Sequence, residues 1–256
     1  MRSLLILALS LATAYLGLCA WFFLTQRSQI YFPVPESNPP GTRSIRLKRD
    51  DATLKIWVVE RPGPRALVYF GGNAENVSAN LASFSSAFPH HSLYLVNYRG
   101  YGGSTGRPSE SALVADALAV YDQLHGRYPQ ISIVGRSLGT GIAVQLAAAR
   151  EVHRLVLVTP YDSLADVAAA HMPIFPVRLL MRDRFDSASR AQAVAAPVLA
   201  IIASDDEIIP RGRSEALVNA FPRSQVRAVL LDGATHNSID LYPGYLRAIG
   251  DFLGAD

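Results

Sequence analysis

The 256-residue chain predicts an α/β domain, a mostly parallel sheet with helices on both faces, behind one N-terminal membrane-spanning helix. Three observations carry this. From Ala66 onward, short apolar runs rich in β-branched residues alternate with longer helical stretches, which implies parallel strands joined by crossover helices. Runs such as Ile131–Ser132–Ile133–Val134 are short and mostly apolar, as expected of strands covered on both sides. An uncharged apolar run over residues 4–24 has the length of a transmembrane helix.

In chain order, the apolar run comes first. It is broken only by Ser10, Thr13 and Tyr15, is flanked by Arg2 and Arg27, and ends in Trp21, Phe22 and Phe23, which suit an interfacial aromatic anchor. A cleavable signal cut near Ala12–Thr13–Ala14 is the competing reading, but the run continues to Leu24, further than a signal requires. Leu18 directly before Cys19 does not suit lipoprotein cleavage, and the lack of a polar face does not suit a core helix. Residues 1–27 are therefore expected to form a single-pass anchor. The short Arg2-bearing tail places the N-terminus inside and the body of the chain outside, although Arg27 and Arg43 pull the other way. Residues 28–43, with Pro33, Pro35, Pro39 and Pro40, read as a stiff extended tether. One domain is expected over 44–256, large enough to bury roughly three quarters of its unfolded surface.

Within that domain, strands are expected at 44–47, 54–59, 66–70, 92–97, 131–134, 154–159, 198–204 and 226–231. Helices are expected at 75–88, 109–125, 138–149, 211–221 and 243–253. Residues 161–196 break the rhythm, being too long for one crossover. They hold the proline-broken His171–Met172–Pro173–Ile174–Phe175–Pro176 and the apolar Val177, Leu179, Leu180 and Met181. The segment reads equally as a small lid with Phe175, Leu179 and Leu180 toward substrate, or as an ordinary crossover with a broken helix.

Composition excludes several functions. Net charge is +3 and the basic residues are scattered, the densest group being Arg46, Lys48 and Arg49. Neither a basic face nor a reading motif for nucleic acid is present. Cys19 is the single cysteine, and no metal-ligand spacing of Cys or His occurs. Neither a metal nor a cofactor is expected.

Gly135–Arg136–Ser137–Leu138–Gly139 matches G-x-S-x-G. The pattern alone is weak, but here a strand precedes it and an Ala-rich helix follows, the context that makes it a nucleophile turn. Such a bend holds the Ser137 Oγ out at the sheet's carboxyl edge. The Leu138 N–H, at the helix start, points where an oxyanion would form. A serine hydroxyl needs a base to take its proton. Chain order on such turns is nucleophile, acid, then histidine. His236 alone follows the last strand, in a loop before the final helix. The acid falls after the penultimate strand, where Asp205, Asp206 and Glu207 are all available and periodicity cannot choose. Asp162 is an outside candidate, though Asp162–Ser163 reads more simply as a helix cap.

These motifs resemble the α/β-hydrolases related to the bud-emergence protein, a branch that includes membrane-anchored protein depalmitoylases and bacterial relatives. The segments that carry the resemblance run nearly the whole chain. They are Tyr69–Phe70–Gly71–Gly72–Asn73–Ala74–Glu75, Asn97–Tyr98–Arg99–Gly100–Tyr101–Gly102–Gly103–Ser104, the Ser137 turn, Arg184–Phe185–Asp186–Ser187 and Asp206–Glu207–Ile208–Ile209–Pro210, with a weaker match at Gln29–Ile30–Tyr31–Phe32–Pro33. The resemblance implies the α/β-hydrolase fold, Asp206 as the acid and His236 as the base. It also implies a second oxyanion donor near Asn73 or Ala74, and Gly71–Gly72 would let the backbone turn back over the nucleophile. Many relatives carry His where this chain has Gly71. Arg99 and Tyr101 are expected to brace the loop, and Asp186 to cap or lie on the surface. The implied activity is cleavage of an acyl ester or thioester, with a serine peptidase or a non-catalytic binding protein of the same fold as alternatives. The anchor and the apolar lid candidates favour a lipidic substrate near a membrane.

Overall fold

A computed structural model describes residues 1–254; the last two residues of the expected 44–256 domain lie outside it. Helix α1 spans Arg2–Ile30, six residues into the expected chain beyond Leu24, and stops where Tyr31 turns extended ahead of Pro33, which cannot continue a helix. The strands are β1 (Arg43–Lys48), β2 (Thr53–Val59), β3 (Arg65–Phe70), β4 (Ser92–Val96), β5 (Gln130–Arg136), β6 (Arg154–Val158), β7 (Val198–Ala203) and β8 (Val226–Leu231). They form one sheet in the order β1-β2-β4-β3-β5-β6-β7-β8. The β1–β2 and β2–β4 pairs are antiparallel and every other pair is parallel.

Alternation within the strands builds two cores. Along β3, Ala66, Val68 and Phe70 face one side while Leu67 and Tyr69 face the other, because successive side chains point to opposite faces. The first side carries α3 (Glu110–His125) and α4 (Leu138–Ala149), and the second carries α2 (Leu81–Ala87) and α8 (Pro243–Gly254). A third helix on the first side, α7 (Arg211–Ala220), follows β7. Local chemistry sets the helix starts. Ser109 caps α3 by accepting the Ala112 N–H at 3.3 Å, and Ser163 caps α5 (Leu164–His171) by accepting the Asp166 N–H, each satisfying a donor that has no intrahelical partner.

Two expectations change. The single helix over 75–88 is a short 3₁₀ turn, Val77–Asn80, running into α2. Glu75 is spent on the preceding loop, and Asn76 caps the turn by accepting the Ser78 N–H. Of the 28–43 stretch read as an extended tether, residues 28–30 complete α1 and the residues that follow pack against the domain. The buried Tyr31, the Gly102 N–H bonded to the Val34 carbonyl at 2.9 Å and the Lys55 ammonium bonded to Glu36 and Asn38 dock them on the sheet. The 161–196 segment, read as a lid or as a broken crossover, forms two short helices, α5 and α6 (Val177–Leu180), and a 3₁₀ turn over Ala188–Ala193.

Candidate active site

Ser137 sits between β5 and α4 with φ 49° and ψ −116°, a conformation that L residues avoid unless the surroundings impose it. Glycines on both sides make the turn sterically feasible. A Cβ on Gly135 would lie 2.5 Å from the Gly139 carbonyl oxygen, and one on Gly139 would collide with the Phe70 carbonyl. Strand, bend and helix therefore pack in direct backbone contact. The Ser137 N–H is taken by the Val158 carbonyl, which fixes the bend to the neighbouring strand.

The loop after β8 brings His236 to this bend. Its Nε2 lies 2.9 Å from Ser137 Oγ. Its Nδ1 lies 2.8 Å from Asp206 Oδ2 and 3.0 Å from Oδ1. The imidazole and carboxylate side chains are 7 % and 2 % exposed, so water competes little for either. Asp206 is itself oriented, because its Oδ1 accepts the N–H groups of Ile208 and Ile209 at 3.0 and 2.7 Å. Of its neighbours, Asp205 is exposed and bonded to Ser204. Glu207 reaches only the His236 backbone N–H, at 3.2 Å. Asp162 lies apart, paired with Arg213 at 3.0 Å and accepting the Ser163 N–H; burial pushes its carboxyl up.

The loop after β3 passes over Ser137, with Gly72 facing the serine Cβ. Glu75 organises it: the carboxylate accepts the Gly72 N–H at 2.5 Å, the Tyr69 hydroxyl at 2.8 Å and the Asn80 amide at 2.6 Å. Tyr98 donates to the Gly71 carbonyl and Tyr101 to Asn73 Oδ1. Oδ1 of Asn73 also accepts the Ala74 N–H at 3.1 Å, so that donor is engaged. Arg99 is buried in a bidentate pair with Asp116 and reaches Asp51, away from the serine. Asp186 accepts the Ser189 N–H, a local cap. Sequence reading missed Glu75 and Arg136. The Arg136 guanidinium approaches the His236 carbonyl at 3.4 Å, Asp240 at 3.5 Å and Glu75 at 3.9 Å. Its place beside the serine, on a strand end facing the histidine loop, was the available signal.

Beside Ser137 opens a mostly apolar cavity of about 390 Å³, within the roughly 300–1,000 Å³ of small-molecule sites. Ser137 and Leu138, Phe175 and Leu180 of the 161–196 segment, and Phe22 and Phe23 of α1 line it. Leu179 lies outside the cavity, 83 % exposed, because the single turn of α6 turns it away. His171, at the end of α5, bonds to the Ile208 carbonyl in the loop after β7 at 2.8 Å.

A model of the alpha/beta hydrolase fold matches residues 65–185. An uncharacterized protein of Mycobacterium tuberculosis is 37 % identical over 93 % of this chain and 90 % of its own length. The mouse alpha/beta hydrolase domain-containing protein 17C is 30 % identical, over 93 % of this chain and 74 % of that protein. The chain belongs to the α/β-hydrolase family. Among solved structures, this hydrolase is similar to an esterase of Pyrococcus furiosus, with a TM-score of 0.72 at 17 % identity over 87 % of this chain and 97 % of that one. It is also similar to an enol-lactonase of Burkholderia xenovorans, with a TM-score of 0.66 at 16 % identity over 82 % and 100 %. Those two likenesses show the fold.

Proposed function

We propose that this hydrolase cleaves a carboxylic ester or thioester through an acyl-enzyme on Ser137. The observation that carries the reading is the continuous relay from Ser137 Oγ through His236 to Asp206, with both hydrogen bonds at 2.8–2.9 Å. His236 Nε2 takes the hydroxyl proton as Oγ attacks the acyl carbonyl, and Asp206 steadies the imidazolium that forms. The leaving alcohol or thiol departs with that proton. Water, deprotonated by the same nitrogen, then attacks the acyl carbon and returns the Ser137 hydroxyl.

The oxyanion needs donors aimed at it. Leu138 opens α4, so its N–H has no intrahelical acceptor. With the Gly72 and Ala74 N–H groups engaged by Glu75 and Asn73 Oδ1, the Asn73 N–H is the second donor. Losing one such donor lowers the rate by on the order of 10²–10³.

The apolar cavity favours an acyl chain over a peptide, since it offers few groups to pair a peptide backbone. Helix α1 is long and apolar enough to cross a membrane, and we read residues 1–27 as the anchor and 44–256 as the exported hydrolase domain. Ser137→Ala should abolish hydrolysis of p-nitrophenyl butyrate and labelling by a fluorophosphonate. Turnover retained by that variant would refute the assignment.

A further inference from the structure

The lid does not merely cover the cavity; it grips the apolar helix. Tyr15, Cys19, Phe22, Phe23 and Gln26 fall at i, i+4, i+7, i+8 and i+11, one face of α1. Along that face the Tyr15 ring stacks on Phe175 at 6.0 Å, and Phe22 meets the same ring edge-on at 4.9 Å. The Tyr15 hydroxyl donates to the Ile174 carbonyl at 2.7 Å. Gln26 donates to the Leu180 carbonyl and accepts the Arg182 N–H.

Helix geometry converts these contacts into depth. At ~1.5 Å per residue, 29 residues span ~43 Å, more than the ~30 Å of a hydrocarbon core. With Trp21, Phe22 and Phe23 at headgroup level, Tyr15 lies about 10 Å deeper in that leaflet. The Ile174 carbonyl bonded to it lies at the same level. The chemistry of the lid tip suits that depth. Residues 172–177 carry no charge, and Ile174 projects outward with 72 % of its surface free. Irregular backbone at membrane depth must have its polar groups satisfied. Pro173 and Pro176 have no N–H to satisfy, and the Met172, Phe175 and Val177 N–H groups bond to the Ala168, Met172 and Phe175 carbonyls. Tyr15 supplies the partner for the Ile174 carbonyl, which leaves the Ile174 N–H as the one N–H of this stretch without an intramolecular acceptor.

We propose that the 172–176 tip inserts into the leaflet beside α1, and that the cavity between α1 and the lid takes its acyl chain directly from that leaflet. The substrate class is then a bilayer-resident acyl ester or thioester, with Phe22 and Phe23 of the anchor as one wall of its binding site. The entry route rests on Ser137 being the acyl-accepting nucleophile; the insertion does not.

Two measurements on the full-length protein in phosphatidylcholine vesicles test it. In the first, a fluorophore is placed on Ile174→Cys, with Cys19→Ala to clear the background. Nitroxide lipids carrying the spin label near the fifth acyl carbon should quench it at least threefold more than the same fluorophore on Ser224→Cys, an exposed turn at the opposite edge of the sheet. Equal quenching at the two positions would overturn insertion. In the second, Ile174→Asp should lower kcat/KM at least tenfold on a palmitoyl ester dissolved in the vesicles while leaving soluble p-nitrophenyl butyrate unchanged. An equal loss on both esters, or on neither, would overturn entry from the leaflet. A wild-type protein no more active than Ser137→Ala on either ester would instead sink the hydrolase reading, and the quenching would still decide insertion.

Discussion

Three consecutive acidic residues follow β7, and their replacement by amides tests the proposed relay. In Asp206→Asn the side chain is not free to choose its orientation. The position of Oδ1 faces two backbone donors, from Ile208 and Ile209, so the amide oxygen must stay there. The NH₂ then faces His236 Nδ1, which must accept rather than donate. The imidazole proton moves to Nε2, the nitrogen facing Ser137 Oγ, and the base is lost with little change of shape. Wrong-tautomer substitutions in serine triads lower kcat by about 10⁴, or about 5 kcal/mol of transition-state stabilisation. Asp205→Asn should stay within about twofold, since Asp205 is exposed, its carboxylate is bonded only to Ser204, and its backbone bond to Ala234 survives the change. Glu207→Gln keeps an oxygen for the His236 N–H and should lose less than about tenfold, as one neutral hydrogen bond is worth about 1 kcal/mol. The assay is kcat/KM on p-nitrophenyl butyrate, with fluorophosphonate labelling rates as a check. If Asp206→Asn kept more than a tenth of the activity, or Asp205→Asn fell as far, the orientation argument would be wrong.

Two further outcomes concern stability. Burial, reinforced by the Arg65 guanidinium, pushes the His91 imidazole down to about 4. The unfolded chain therefore takes up a proton near pH 6.5 that the fold refuses, so stability is lost as pH falls from about 6.5 toward 4. The loss is about 2 kcal/mol after allowance for solvent, and it should show as a steeper fall in Tm between pH 7 and 5 for wild type than for His91→Gln. Arg99→Met leaves the buried Asp116 carboxylate with only Arg49 at 3.4 Å; it should cost about 3 kcal/mol, or roughly 10 °C in Tm. Adding Asp116→Leu should restore most of that loss, and a double variant as unstable as the single one would show that the ion pair itself stabilises the fold.

Legibility in the sequence followed the range of the forces involved. The strand–helix alternation was readable because burial on both faces writes itself into short β-branched runs. Ser137 and His236 stood out because their positions relative to strand ends can be counted along the chain. The choice among Asp205, Asp206 and Glu207 could not be counted, for it depends on a local turn in which Asp206 accepts from residues two and three further on. Leu179 and Leu180 differ by one position on a single helical turn, and only the packing of α6 separates the outward residue from the cavity wall. The docking of residues 31–38 was invisible as a pattern, yet it left one clue. Lys55 stands inside the apolar run Leu54–Lys55–Ile56–Trp57, and a buried ammonium needs partners. Glu36 and Asn38 provide them. The helix expected at 75–88 shortened for a related reason, since Glu75 is recruited to hold Gly72, Tyr69 and Asn80.

The apolar helix and the site are joined by more than a shared cavity. On the floor, the Asn73 amide donates to the Ile30 carbonyl at 2.5 Å, and its Oδ1 accepts the Phe32 N–H at 3.0 Å. The residue whose N–H is assigned to the oxyanion is thereby fastened to the last turn of α1. On the lid, Asp183 is buried and takes Arg27 at 3.0 Å and the Tyr31 hydroxyl at 3.0 Å, and this pair is fastened to the same turn. A displacement of α1 would therefore move both sides of the cavity relative to the serine. Misplacement by about 1 Å can cost on the order of 10² in rate. Geometry of this kind requires that α1 be held in place, which a helix loose in a bilayer is not; the hydrogen bonds of Asn73 and Asp183 to the end of α1 contribute that constraint. The apolar helix is thus a structural member of the site as well as a candidate anchor.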